Sequence, residues 1–267
     1  MTGKVIVTGA SGAMGAAATQ VLAAQGRQVI MACRNLEKAG AVRNRILSAV
    51  PGAKIEIRHL DLASLASVRA FIDGMKGESV SALLNNAGVI SRKYSLTEDG
   101  LENTFAVNYF GPVLLTLSLL PLMAPEASIV NTVSLTCKFV NITEQSLHPD
   151  SSGFSQLGTY ARSKLALLHF SEELIRRNPS KRINLADPGV VNSNMISMGR
   201  WFDPLADALF RPFCKSPGKG VKPALSALAS EESGEYYVGQ RIKNIPARFV
   251  DPELDRLLWD ETLKIIG

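Results

Sequence analysis

The feature that most constrains this chain stands near its start. Lys4-Val5-Ile6-Val7-Thr8 is a short, apolar, β-branched run that leads directly into the glycine-rich turn Gly9–Gly15 and then an alanine-rich segment. An apolar run without polar alternation suits a strand covered on both faces, as in a parallel sheet. Glycines at the junction let the backbone turn tightly and let another group approach it closely. A strand buried on both faces needs helices above and below it, and the rest of the chain must supply them.

Further strands are expected at Gln28–Cys33, Lys54–Leu60, Val80–Asn85, Ser128–Thr132 and Arg182–Ala186. Helical periodicity places helices at Ala16–Gln25, Leu36–Val50, from the N-cap Ser64 to about Met75, twice across Thr97–Met123, and at Tyr160–Asn178 and Pro252–Ile266. This alternation predicts an α/β fold: a doubly wound, mostly parallel, Rossmann-type sheet with helices on both faces, in a single domain over residues 1–267. Two irregular segments, Leu135–Thr159 and Met195–Gly220, follow the fifth and sixth strands. They fall on the carboxyl edge, where such sheets bind ligands.

Composition removes several function classes. Hydrophobic residues are 46% of the chain and charged residues 20%, enough apolar material for a real core. The formal charge of +5 is dispersed, with no basic run interleaved with aromatics, so no nucleic-acid partner is expected. Cys33, Cys137 and Cys214 lie far apart and read as reduced thiols in a cytoplasmic protein. His59, His148 and His169 are equally scattered, and no metal site is expected. Nothing near the N-terminus reads as a signal peptide. The apolar stretch Val113–Met123 is too short to span a bilayer, carries Pro121, and reads as a buried helix.

Gly9, Ser11, Gly12, Ala13, Met14 and Gly15 form the turn from the first strand into its helix. Free N–H groups and the positive end of a helix dipole there suit a pyrophosphate, although a merely tight turn would use the same residues. After strand two, where an acidic residue would accept from ribose hydroxyls, the chain has Arg34-Asn35. A planar guanidinium suits a 2′-phosphate, which favours NADP(H) over NAD(H). Asp61-Leu62 is placed to bracket an adenine, with a plain turn before the Ser64 cap as the other reading. Asn86-Ala87-Gly88 suits a ribose lying close to the backbone, or an Asx-type turn.

Tyr160 and Lys164 are four residues apart, on one face of the helix between strands five and six. Ser134 follows strand five, and Asn108 lies in the helical region after strand four. With the glycine turn, Asn85–Gly88 and Pro188-Gly189, these residues resemble the short-chain dehydrogenase/reductase family across most of the chain. The resemblance implies that Tyr160 is the acid in reduction and the base in oxidation, its phenol lowered by Lys164 and the oxidised nicotinamide. It implies that Ser134 holds the substrate oxygen and that Asn108 anchors a water linking Lys164 to solvent. It also places backbone near Val191 against the carboxamide and Ser193 where a hydroxyl residue usually stands. Tyr160, Lys164, Pro188 and Gly189 would thus also meet the cofactor.

Two departures stand out. Ala13 occupies the middle-glycine position of the family's usual turn, which puts the approach of the pyrophosphate in question. The spacing from Ser134 to Tyr160 is also long. That spacing, Ala32-Cys33-Arg34-Asn35, Ser163-Lys164-Leu165-Ala166 and Leu258-Trp259-Asp260 resemble the retinol dehydrogenase-like subgroup. The implied partner is a small hydrophobic carbonyl or alcohol, retinoid-, steroid- or lipid-like. The apolar segment Trp201–Phe213 fits a lid, with core packing and peripheral membrane contact as other readings. A homo-oligomer stays open. Two rival functions do as well: a dinucleotide-binding regulatory protein without turnover, and a related isomerase or epimerase.

Overall fold

A computed structural model describes residues 3–189, 216–239 and 241–267. Eight strands form one sheet in the order β3-β2-β1-β4-β5-β6-β7-β8. The first six are β1 (Lys4–Thr8), β2 (Gln28–Cys33), β3 (Ile55–His59), β4 (Val80–Asn85), β5 (Met123–Thr132) and β6 (Arg182–Asp187). They pair in parallel, as the unbroken apolar runs require: every residue of β4 is buried, and so are Val5–Thr8. The chain moves outward from β1 to β3 and then returns past β1 to β4. That reversal puts the switch point, where such sheets bind ligands, at the carboxyl ends of β1 and β4.

Helices cover both faces. One face packs α1 (Ala13–Ala24), α2 (Leu36–Ala49) and α8 (Lys222–Ala229) on Val5, Val7, Val29 and Met31. The other packs α3 (Leu65–Asp73), a helical run from Asn103 to Leu122, α6 (Gln156–Arg177) and α9 (Pro252–Ile266) on Ile6, Ile30, Leu83 and Ile129. The caps are legible locally. Ser64 accepts from Ser67 N, and the Asp251 carboxylate accepts from Glu253 and Leu254 N at the head of α9. The Leu258-Trp259 pair fastens α9 to α6: Leu258 is fully buried, and Trp259 stacks on Phe170 with ring centroids 5.1 Å apart.

Several boundaries differ from the sequence reading. The region after β4 is one helical run: α4 (Asn103–Phe105), a π-turn at Ala106–Phe110, α5 (Gly111–Leu119) and a 3₁₀ turn at Leu120–Leu122. This run is long and apolar enough to cross a membrane, yet 72% of its most apolar window is buried inside the molecule. Helix α6 starts at Gln156, so Tyr160 sits one turn inside it and not at its first residue. The segment before α6 carries two 3₁₀ turns, Leu135–Phe139 and Glu144–Leu147. Past the short α7 (Pro217–Gly220) and α8, the strands β7 (Tyr236–Val238) and β8 (Arg241–Lys243) extend the sheet, and β8 runs antiparallel to β7. Val191, Ser193, Cys214 and the Trp201–Phe213 segment lie outside the described residues.

Candidate active site

The glycine turn after β1 is shaped by backbone alone. Gly9 takes φ +63°, a left-handed conformation, and a Cβ there would meet Ala87 Cα at 3.0 Å. A Cβ on Gly15 would lie 2.4 Å from the Gly9 carbonyl and 2.7 Å from Ala10 Cα, so only glycine fits. Gly12 is the N-cap of α1 and supplies no side chain to cover its N–H groups. The cradle therefore fits a pyrophosphate: free donors, close backbone and the positive helix end coincide. Ala13 is exposed on the first turn, so its methyl group does not fill the turn's interior.

The neighbouring loop is tied to this cradle. Thr8 Oγ1 accepts from Asn86 N and Ala87 N at 3.0 Å each, and Asn86 Nδ2 donates to Thr8 O at 2.9 Å. Beyond β2, Arg34 is exposed, whereas Asn35 caps α2 by accepting from Lys38 N at 2.7 Å. Asp61 Oδ1 accepts from Ala63 N at 2.9 Å, so one carboxylate oxygen already closes a local turn. Leu62 is buried in the core, its carbonyl and side chain tight against Gly111.

The second half of the site stands at the ends of β5 and β6. The Lys164 ammonium is buried, donates to Thr132 O at 2.8 Å and lies behind Gly88. Burial lowers it to about 8, with Cys137 opposing. Tyr160 is one helical turn before it. Burial pushes the phenol up to about 12, polar contact with the Ser134 hydroxyl opposes that rise, and Cys137 and Asp187 add to it. Among the protein's own groups desolvation dominates the phenol; the expected lowering concerns the complex with oxidised nicotinamide. Ser134 Oγ itself accepts from Thr136 N at 3.3 Å and Thr136 Oγ1 at 3.0 Å.

Asn108 sits in the π-turn and is fully buried. Its Oδ1 accepts from Val89 N at 2.8 Å, and its Nδ2 donates to Val89 O at 2.9 Å and to Ser163 Oγ at 3.0 Å. Ser163 in turn donates to Tyr160 O at 2.8 Å. Both amide hydrogens thus go to protein partners. The Asn108 side chain clamps the segment after Gly88 to α6.

Residues 3–200 match the model of the short chain dehydrogenase family. This chain belongs to that family. Human retinol dehydrogenase 14 is 34% identical to this short-chain dehydrogenase over 294 residues, covering 100% of this chain and 87% of that protein. A solved structure of a Mycobacterium paratuberculosis protein superposes with a TM-score of 0.81 at 28% identity, covering 99% of this chain and 93% of that one. A Sphingobium yanoikuyae short-chain dehydrogenase solved with NADPH gives a TM-score of 0.68 at 20% identity, covering 88% and 86%. This short-chain dehydrogenase is therefore retinol dehydrogenase-like in sequence and an oxidoreductase of a nicotinamide-dinucleotide-binding family.

Four groups escaped the sequence reading. Thr8 and Ser163 adjoin residues it had singled out, and their roles appear only once distant segments meet. The Thr132 carbonyl carries no side-chain signal. Asp187 accepts from Gly189 N at 2.8 Å and from Tyr236 of β7 at 3.1 Å, a pairing no local pattern announces.

Proposed function

We propose that this chain is an NADP(H)-dependent oxidoreductase that reduces the carbonyl, or oxidises the matching alcohol, of a hydrophobic small molecule. The observation that carries this reading is the buried Lys164 ammonium one turn from the Tyr160 phenol, with Ser134 beside the phenol and the glycine cradle at the same sheet edge. The dinucleotide, when bound, supplies the hydride. Ser134 holds the substrate oxygen through its hydroxyl. Tyr160 delivers a proton to that oxygen in reduction and takes it back in oxidation. Raised to about 12, the phenol carries its proton at neutral pH, which is the form reduction uses. Lys164 stands behind Gly88, and in this reading it serves both the ribose and the proton path. Asn108 positions that wall and, through Ser163, the helix bearing Tyr160.

NADP(H) is supported by Arg34, whose exposed guanidinium stands at the end of β2 with no carboxylate beside it in sequence. Asn35 and Asp61 contribute through their local turns, Asn86–Gly88 and Pro188-Gly189 through backbone. A hydrophobic substrate is supported by the retinol dehydrogenase relatives. It is supported equally by the exposed apolar side chains Leu135, Phe139 and Leu157 close in sequence to Ser134 and Tyr160. A cytoplasmic location belongs to the same proposal and is supported by the free, buried thiols of Cys33 and Cys137. The test is to mix the protein with NADPH and a panel of hydrophobic aldehydes and ketones and follow the reduced nicotinamide absorbance. Consumption is expected with some members of the panel. Demonstrated NADPH binding with no consumption across the panel contradicts the reading.

A further inference from the structure

Asp187 is the last residue of β6 and is almost entirely buried, with 1% exposure. A carboxylate in such a place must find donors. It finds two on separate segments: Gly189 N on one oxygen at 2.8 Å, and the Tyr236 hydroxyl of β7 on the other at 3.1 Å. The first bond fixes the turn at Pro188-Gly189, where the chain leaves the sheet. Gly189 takes φ +69° there, a conformation that suits glycine. The second bond fastens the next strand of the sheet to the same carboxylate.

The register places this carboxylate next to the chemistry. Thr132 pairs with Ala186, and Val133 N donates to Ala186 O at 2.9 Å. Asp187 therefore stands beside the Val133-Ser134 step as the two strands end together. Its charge is felt by three groups there: Tyr160, Cys137 and Tyr236. The groups that act on the Tyr160 phenol are Ser134 at the cap of the 3₁₀ turn, Cys137 within it and Asp187 from β6; Lys164 lies one turn further along α6, and Tyr236 of β7 bonds Asp187. Arg248, from the 3₁₀ turn Ala247–Phe249, reaches the Cys137 carbonyl at 3.5 Å. Among these, Asp187 and Lys164 carry the opposed buried charges.

We propose that Asp187 is a positioning residue for proton transfer: it locks the Pro188-Gly189 turn and β7 to the sheet edge and holds a buried negative charge beside Tyr160. This rests on the reading of Tyr160 as the proton-transfer group. The carboxylate disfavours the phenolate and keeps the proton on Tyr160 until the substrate oxygen takes it. A bond to Gly189 alone would make Asp187 a structural cap. The neighbouring phenol gives its charge a chemical consequence.

The test uses Asp187→Asn, which keeps size and shape and removes the charge, compared with wild type in pH profiles of alcohol oxidation with NADP+. Oxidation requires deprotonated Tyr160, so its rate rises with pH through the apparent Tyr160 limb. The variant is expected to move that limb to lower pH by roughly half to one pH unit. Below the limb, its rate relative to its own plateau is then about three- to tenfold higher. A limb coinciding with wild type overturns the proposal, even if kcat falls, because a purely structural role lowers rates without moving the limb. Tyr236→Phe removes one donor and keeps the charge, so its limb must not move to lower pH. A downward shift there shows that packing, not charge, governs the phenol and also overturns the proposal.

A second readout needs no turnover. Protein labelled with carbon-13 at the tyrosine ring carbon bearing oxygen, with Tyr160 assigned by its loss in Tyr160→Phe, must begin to titrate at lower pH in Asp187→Asn. The same onset in both proteins overturns the proposal. If the wild type fails on the whole substrate panel, the functional reading falls while this titration still decides the role of Asp187.

Discussion

The glycine cradle at the head of α1 and the Tyr160–Lys164 face of α6 are made of different materials. The cradle is backbone: Gly9 in a left-handed conformation, Gly15 with no room for a Cβ, and an N-cap that supplies no side chain. The α6 face is side chains held by other side chains and carbonyls, with Lys164 on Thr132 O and Ser163 between Asn108 and the Tyr160 carbonyl. A cradle that donates N–H groups needs shape and an open approach. A face that moves a proton needs buried groups whose proton affinities have been pulled from their ordinary values, here to about 12 for Tyr160 and about 8 for Lys164. Mutations should therefore separate the two: changes in the cradle alter binding, and changes on α6 alter turnover and pH behaviour.

The largest effect should come from the cradle. Gly15→Ala places a methyl group 2.4 Å from the Gly9 carbonyl and 2.9 Å from Asn86 Nδ2. Relief must displace backbone, at a cost of roughly 1–3 kcal/mol of stability. NADPH affinity, measured by fluorescence titration, is expected to fall by about 100-fold or more. Unchanged affinity would detach the cradle from the cofactor. Next comes Arg34→Asp, which replaces a phosphate-compatible fork by a charge that repels phosphate. The ratio of kcat/KM for NADPH over NADH should drop by roughly 10- to 100-fold, the size of one charge-assisted contact. An unmoved ratio would place the specificity elsewhere.

The smallest effect sharpens the comparison from the α6 side. Burial holds Lys164 down at about 8 in the folded chain, below the ordinary lysine value of 10.5. The unfolded state therefore binds more protons between those values, and this group's contribution makes stability rise with pH across that window. At neutral pH the buried ammonium is a net cost. Lys164→Met should thus abolish turnover yet raise the unfolding free energy from denaturant titration at pH 7, by about 1–2 kcal/mol once the lost bond to Thr132 O is allowed for. The advantage should shrink toward pH 10. A destabilised Lys164→Met at pH 7 would mean that the ammonium is better satisfied than its surroundings indicate.

How much of this was legible in the sequence follows from the same distinction. Backbone-made features leave local signatures, so the β1–α1 junction, the Ser64 cap and the cores of all of the first six strands could be placed from residue types alone. Features that depend on distant partners could not. The strands β7 and β8 are three residues each, too short to show alternation, and they exist because β6 offers an edge. Asn108 is visible as a residue, but its π-turn and its hold on Val89 arise only when α5 packs beneath β4. The desolvation of Tyr160 was out of reach for a related reason. Attraction by Lys164 can be read from spacing, whereas desolvation is known only after the surrounding chain has closed over the phenol.

The central claim is that Tyr160 serves proton transfer and leaves cofactor binding to the cradle. Its most direct test is Tyr160→Phe, with turnover and NADPH dissociation constant measured on the same preparation, using a carbonyl substrate that the wild type consumes. Turnover is expected to fall by about 10²- to 10⁴-fold, the usual contribution of a positioned general acid, with NADPH affinity unchanged within about twofold. Retained turnover, or a loss of affinity as large as the loss of rate, would contradict the account.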